Sequence, residues 1–182
     1  MGNTNKKKCK KAILKQQEEC ICRIKNNNGE GTGFFCTIPN DQNEQINILI
    51  TTNHIINTKI IKESDNIIIS LNNEKEKKTI NIDENRKIYI SEKYDVSIIE
   101  IKEEDNINKF IELDKDIFDY NNRKINENIY IIQSPKLVNS VKKSSVSYGI
   151  ITNIQDEYNI IHKCDTESGP SGAPILKFQI IK

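Results

Sequence analysis

Residues His162–Leu176 read HKCDTESGPSGAPIL, and positions 169–174 of that stretch hold Gly169, Pro170, Ser171, Gly172 and Pro174. The whole chain has only 7 Gly and 4 Pro among 182 residues, so its scarcest backbone-shaping residues gather around one serine. Gly169 can take φ values closed to other residues, and Gly172 lets a second backbone or a ligand come close. A turn of this kind can aim successive N–H groups inward as an anion-holding nest. A hydroxyl nucleophile beside two amide donors is what acyl transfer needs. Taken alone, the string fits an ordinary glycine-bounded loop equally well.

A serine nucleophile needs a base, and the chain has two histidines. His54 ends the apolar run INILITT within TTNHII, which puts it at a strand end and at the lip of any cleft. His162, in NIIHKC, sits nine positions before Ser171 and suits a surface or packing role as readily. Asp95, in EKYDVSIIEI, directly precedes another apolar run. A carboxylate there can be buried against an imidazole and set its tautomer.

The surroundings are strand-like. CICRIK, TGFFCTI, INILITT, NIIISL, KTINI, KIYI and VSIIEI form one series, and NIYIIQS, VSYGIITNI, NIIHKC and APILKFQIIK a second. These are short β-branched runs, several of them divided by Gly- or Pro-bearing turns (NNNGEG, IPND, SPK). That pattern predicts an all-β barrel or sandwich architecture. The weakly patterned stretch 110–128 is expected to join the two series. Residues from about Lys8 to Glu19 lack Gly and Pro and predict a short N-terminal helix.

Composition excludes several classes. Lys+Arg 27 against Asp+Glu 26 gives a net charge of +1, with no overall electrostatic footprint for nucleic acid. The five cysteines, at 9, 20, 22, 36 and 164, are too tightly or too widely spaced for a zinc knuckle, and no metal or cofactor is expected. The N-terminus has no apolar signal-peptide core, and no apolar run is long enough to span a bilayer. Free thiols in a cytoplasmic, reducing setting are therefore expected. Lys6, Lys7, Lys8, Lys10 and Lys11 offer weak attraction to an anionic membrane, against which a solvated tail is the expectation.

The order His54, Asp95, Ser171 carries a resemblance. GTGFFCTI…ILITTNHII, then YDVSIIEI, then DTESGPSGAPIL resembles the chymotrypsin/trypsin-like serine peptidases, in style the short glutamyl-endopeptidase-like members, over about Cys20 to Leu176. The resemblance implies two antiparallel β-barrels with a cleft between them, here residues 19–112 and 113–182, preceded by a basic tail and helix at 1–18. It implies a Ser171–His54–Asp95 triad acting on a peptide or protein substrate, with the Gly169 and Ser171 amides as oxyanion hole. Asp165, six before the serine, falls where trypsin carries its specificity acid, which implies a basic residue at the cleaved bond, although short relatives with the same Asp-Thr pair have other preferences. Two features depart from the pattern. Pro170 replaces the acidic or amide residue usual before the serine and fixes φ near −65°. Only eleven residues follow Ser171, whereas the family continues with two more strands and usually a helix. The second barrel is therefore expected to be incomplete, as in a truncated chain. The alternative this motivates is a catalytically impaired, peptide-binding relative.

Overall fold

The computed structural model describes residues 3–27, 29–40, 42, 44–114, 125–134, 144–155, 159–166 and 171–178, with backbone alone for 3–8. Twelve strands and two α-helices are present among them. Helix α1 is Asn3–Glu19, followed by β1 Ile21–Asn26, β2 Gly29–Pro39 and β3 Gln45–Thr51. Helix α2, Thr58–Glu63, comes next, then β4 Asn66–Leu71, β5 Glu76–Asn81, β6 Ile88–Ser91 and β7 Val96–Glu100. The short β8, Ile111–Glu112, precedes β9 Asn128–Gln133, β10 Ser145–Gln155, β11 Asn159–His162 and β12 Ile175–Lys177.

The strands form two sheets. The first curls into a half-barrel in the order β5-β4-β1-β2-β3-β7-β6, with β8 added in parallel to β2. The second has the order β11-β10-β9-β12. The all-β expectation holds, and each strand-like run contains a strand among the described residues, APILKFQIIK only over Ile175–Lys177.

Alternation explains the first sheet. In β4, Ile67, Ile69 and Leu71 point into the half-barrel while Ile68 faces out. They pack with Cys22, Ile24, Phe35, Leu49, Ile55, Ile56, Ile80, Ile99, Ile101 and Ile107. Each fully buried isoleucine contributes roughly 1.5–3 kcal/mol over its exposed state, so β-branched shape and apolar surface act together here. Strand β9 is buried on both faces. Ile129 and Ile131 pack with Ile151 and Cys164 on one side, while Tyr130 and Ile132 pack with Ile13, Ile21 and Leu176 on the other.

That second cluster shows what the expected short N-terminal helix packs against, while Lys10 and Lys11 on it are exposed. The helix begins at Asn3, five residues before the run that predicts it, and its Ile13 is buried. Tyr130 Oη donates to Gln16 Oε1 at 2.7 Å, and Gln17 Nε2 donates to the Ser144 carbonyl at 2.6 Å. Helix α1 thus rests where the two sheets meet, with Ile21 and Phe34 from the first and Tyr130, Ile132 and Leu176 from the second.

Candidate active site

His54 lies just beyond the end of β3, in a turn held from several sides. The Thr52 carbonyl accepts from the Ile55 and Ile56 amides, both at 3.1 Å. Asn26 Nδ2 donates to the Ile55 carbonyl at 2.7 Å, and the buried Ser97 Oγ donates to the Ile56 carbonyl at 2.5 Å. The turn is therefore fixed by side chains from β1 and β7.

Asp95 closes the β6–β7 hairpin, whose flanking pair is Ser91 with Val96. Its backbone is left-handed, with φ at +49°, a conformation that Asp tolerates better than most residues. From there Oδ1 accepts the His54 amide at 2.9 Å and Oδ2 meets His54 Nδ1 at 2.7 Å. With Nδ1–H donated to the carboxylate, Nε2 of the neutral ring carries the lone pair. The pair is more open than the sequence implies, for the two side chains are 51% and 49% exposed.

Ser171 reaches the same region through its backbone. Its carbonyl accepts the Thr32 amide at 2.8 Å. Gly31 lies beneath both turns: a Cβ there would stand 2.7 Å from Ile55 Cγ1 and 3.1 Å from the Ser171 carbonyl oxygen. The serine-bearing turn and the histidine-bearing turn thus meet over Gly31 and Thr32. Gly172, at φ +85°, presses so closely on β2 that a Cβ would fall 2.1 Å from the Thr32 oxygen, which explains a glycine directly after the serine.

Gly169 and Pro170 lie outside the described residues. Asp165 is exposed. His162 is turned back on its own chain, its Nδ1 accepting the Cys164 amide at 3.2 Å. Among the described residues no cluster of His, Cys, Asp or Glu could hold a metal. No described helix is long and apolar enough to cross a membrane.

Three supporting residues, Ser97, Thr51 and Asn26, escape a reading aimed at nucleophile, base and acid. Ser97 and Thr51 face each other across β7 and β3 and are both fully buried. Their signal is a hydroxyl at a strand position where alternation calls for an apolar side chain.

No family model matches the sequence, and no curated protein matches it significantly. Solved structures do. The catalytically inactive tobacco etch virus protease in complex with substrate superimposes with a TM-score of 0.56 at 13% identity, covering 92% of this chain and 70% of that one. The catalytically active form of that viral protease, in complex with product, gives a TM-score of 0.54 at 14% identity, covering 91% and 65%. The thermostable serine protease AL20 from an extremophilic microorganism gives 0.54 at 9% identity, covering 89% and 79%. The chain spans about two thirds of the length of the viral protease structures. At these identities the likeness is one of architecture: the chain has the chymotrypsin-like protease fold.

Proposed function

We propose that the chain is a serine endopeptidase of the chymotrypsin-like type, with Ser171 as nucleophile, His54 as general base and Asp95 as its orienting acid. The observation that carries this reading is the double contact of Asp95 with the His54 amide and Nδ1, made beside the turn that bears Ser171. In this scheme Ser171 Oγ attacks the scissile carbonyl carbon while His54 Nε2 takes its proton. The charge that develops on the carbonyl oxygen is met by the amides of Gly169 and Ser171. Collapse breaks the C–N bond, His54 returns the proton to the leaving amine, and an acyl-serine remains. Water, deprotonated by His54, then releases the acid and restores the serine.

The substrate class is a peptide or protein segment, consistent with the substrate and product complexes of the structurally similar viral protease. Asp165, exposed ahead of the serine turn, is proposed as a contact for a basic side chain at the cleaved bond. The residue ranges proposed for the two barrels are 19–112 and 113–182.

Treatment of the purified chain with a fluorophosphonate, followed by mass mapping, tests the proposal. A single adduct on Ser171 that disappears in His54→Ala is the expected result. A folded chain that acquires no adduct on Ser171 would overturn it.

A further inference from the structure

Thr32 lies where β3 leaves β2. The register pairs Phe34 with Ile50, so the next rung would set Thr32 opposite Thr52. That rung is absent, because the chain turns at Thr52 to form the His54 turn. The alternate residues of β2 use their main-chain groups toward β1, as Phe35 does with the Cys20 carbonyl. Thr32 is therefore left, fully buried, with an N–H and a C=O directed at the gap. A buried group of this kind is costly to leave without a partner.

Both groups are used. The Thr32 amide donates to the Ser171 carbonyl at 2.8 Å, and the Thr32 carbonyl accepts from Thr51 Oγ1 at 2.9 Å. The Thr32 hydroxyl oxygen in turn accepts the Ser134 amide at 3.0 Å, at the end of β9. Gly172 rests on the same hub, with its missing Cβ 2.1 Å from the Thr32 oxygen and 2.9 Å from Thr51 Oγ1. The turn that carries Ser171 thus substitutes for the missing rung, and a hydroxyl three residues before His54 holds its other side.

We propose that Thr51 is a positioning residue for Ser171: its hydroxyl fixes the Thr32 carbonyl and so sets where the serine turn sits relative to His54. This inference rests on the peptidase reading above for its catalytic meaning. Thr51 touches neither substrate nor reacting atoms in that scheme and acts only through the hub. Reaction rates are steep in such placement, and an error of about 1 Å costs on the order of a hundredfold.

The test uses the full chain and the time course of fluorophosphonate inactivation, resolved into reagent binding and maximal rate. Thr51→Val keeps the shape and removes the donor, so the maximal rate falls about tenfold to a hundredfold with binding unchanged. Thr51→Ser restores the donor and returns the rate to within about threefold of the parent, which a space-filling role for the threonine methyl would not produce. Thr51→Val reacting at the parent rate overturns the proposal. If Thr51→Val does not fold, Gly172→Ala serves instead. It lifts the turn off the hub and is expected to slow the maximal rate in the same way, and a parent-like rate overturns the proposal equally.

Hydrogen exchange of the Thr32 amide is read in parallel, because it needs no reactivity. In Thr51→Val it speeds by about tenfold while exchange in the β4–β5 hairpin is unchanged. Unaltered exchange at Thr32 overturns the hub. A parent chain that reacts with no fluorophosphonate sinks the peptidase reading separately, whatever the exchange shows.

Discussion

One carboxylate of Asp95 holds His54 twice, accepting its backbone amide at 2.9 Å and its Nδ1 at 2.7 Å, although about half of each side chain is open to solvent. An exposed pair of this kind contributes only about 0.2–1 kcal/mol to stability. Its consequence is geometric. Gripping backbone and ring together leaves the imidazole one orientation and one tautomer, with Nε2 as the available base.

Asp95→Asn therefore separates orientation from folding. Asn accepts the left-handed backbone that Asp95 adopts at φ +49°, so the hairpin survives and thermal stability changes little. The amide can present its NH₂ to Nδ1 and select the wrong tautomer. Fluorophosphonate reactivity of Ser171 is expected to fall by about 10³–10⁴, with the melting temperature nearly constant. Parent-like reactivity would remove Asp95 from the proposed machinery.

Ser97 supports the same turn from below. Fully buried on β7, it donates to the Ile56 carbonyl at 2.5 Å. Ser97→Ala leaves that carbonyl unpartnered at little change in volume. Unfolding in urea should show a loss of about 1–3 kcal/mol, with the slope unchanged. A loss under half of the lower figure would mean that another donor takes over.

The strands were legible because alternation of β-branched residues survives in nearly every run, as in Ile67, Ile69 and Leu71 of β4. Strand β8 was not, since two residues carry no period and its pairing with β2 is parallel and distant in sequence. Helix α2 was also missed. Its signal is slight: Asn57 caps it by accepting the Ile60 amide, and none of its residues is buried. At the candidate site, His54 and Asp95 each mark a strand boundary that the sequence displays. The openness of their contact is not displayed, nor is the Thr32 hub, because the partners there are carbonyls and amides from segments far apart in the chain. Hydroxyl-to-backbone bonds leave only a polar residue in an apolar register, a signal easily taken for composition.

Arg23 gives the fold a pH dependence that is independent of the site. It is buried on β1 and pairs with Glu30 at 2.5 Å and with Glu74. Burial pushes the Glu30 carboxyl up, but the hydrogen bond and charge of Arg23, helped by Lys25, outweigh it and hold the group below its ordinary 4.5. A carboxyl depressed in the folded state stabilises fully above its unfolded value, and that stability is lost as pH falls through the folded value. Glu30→Gln should therefore cost about 1–3 kcal/mol near neutrality and progressively less as pH drops below the ordinary glutamate range. A difference from the parent that stays constant down to strong acid would contradict the pairing.

The thiols report on whether α1 is docked. Cys20, Cys22, Cys36 and Cys164 are buried, and burial raises all four: Cys20 to about 11, Cys36 to about 12, and Cys22 further still. The thiolate is the reactive form, so these four are doubly protected, by access and by protonation. Cys9 is only half-buried, on α1 against the Ile13–Tyr130 cluster. An aromatic disulfide reagent at about pH 8 should therefore titrate one thiol quickly in the native chain and all five after unfolding. Cys9→Ser should abolish the fast phase. Ile13→Ala, which costs about 2–5 kcal/mol if the cluster is as tight as its burial implies, should loosen α1 and speed the reaction of its neighbour Cys20 while leaving Cys36 slow. Fast reaction of Cys36 in that variant would mean that the helix and the half-barrel unfold as one unit, and equal protection of Cys20 would mean that Ile13 does not hold the helix down.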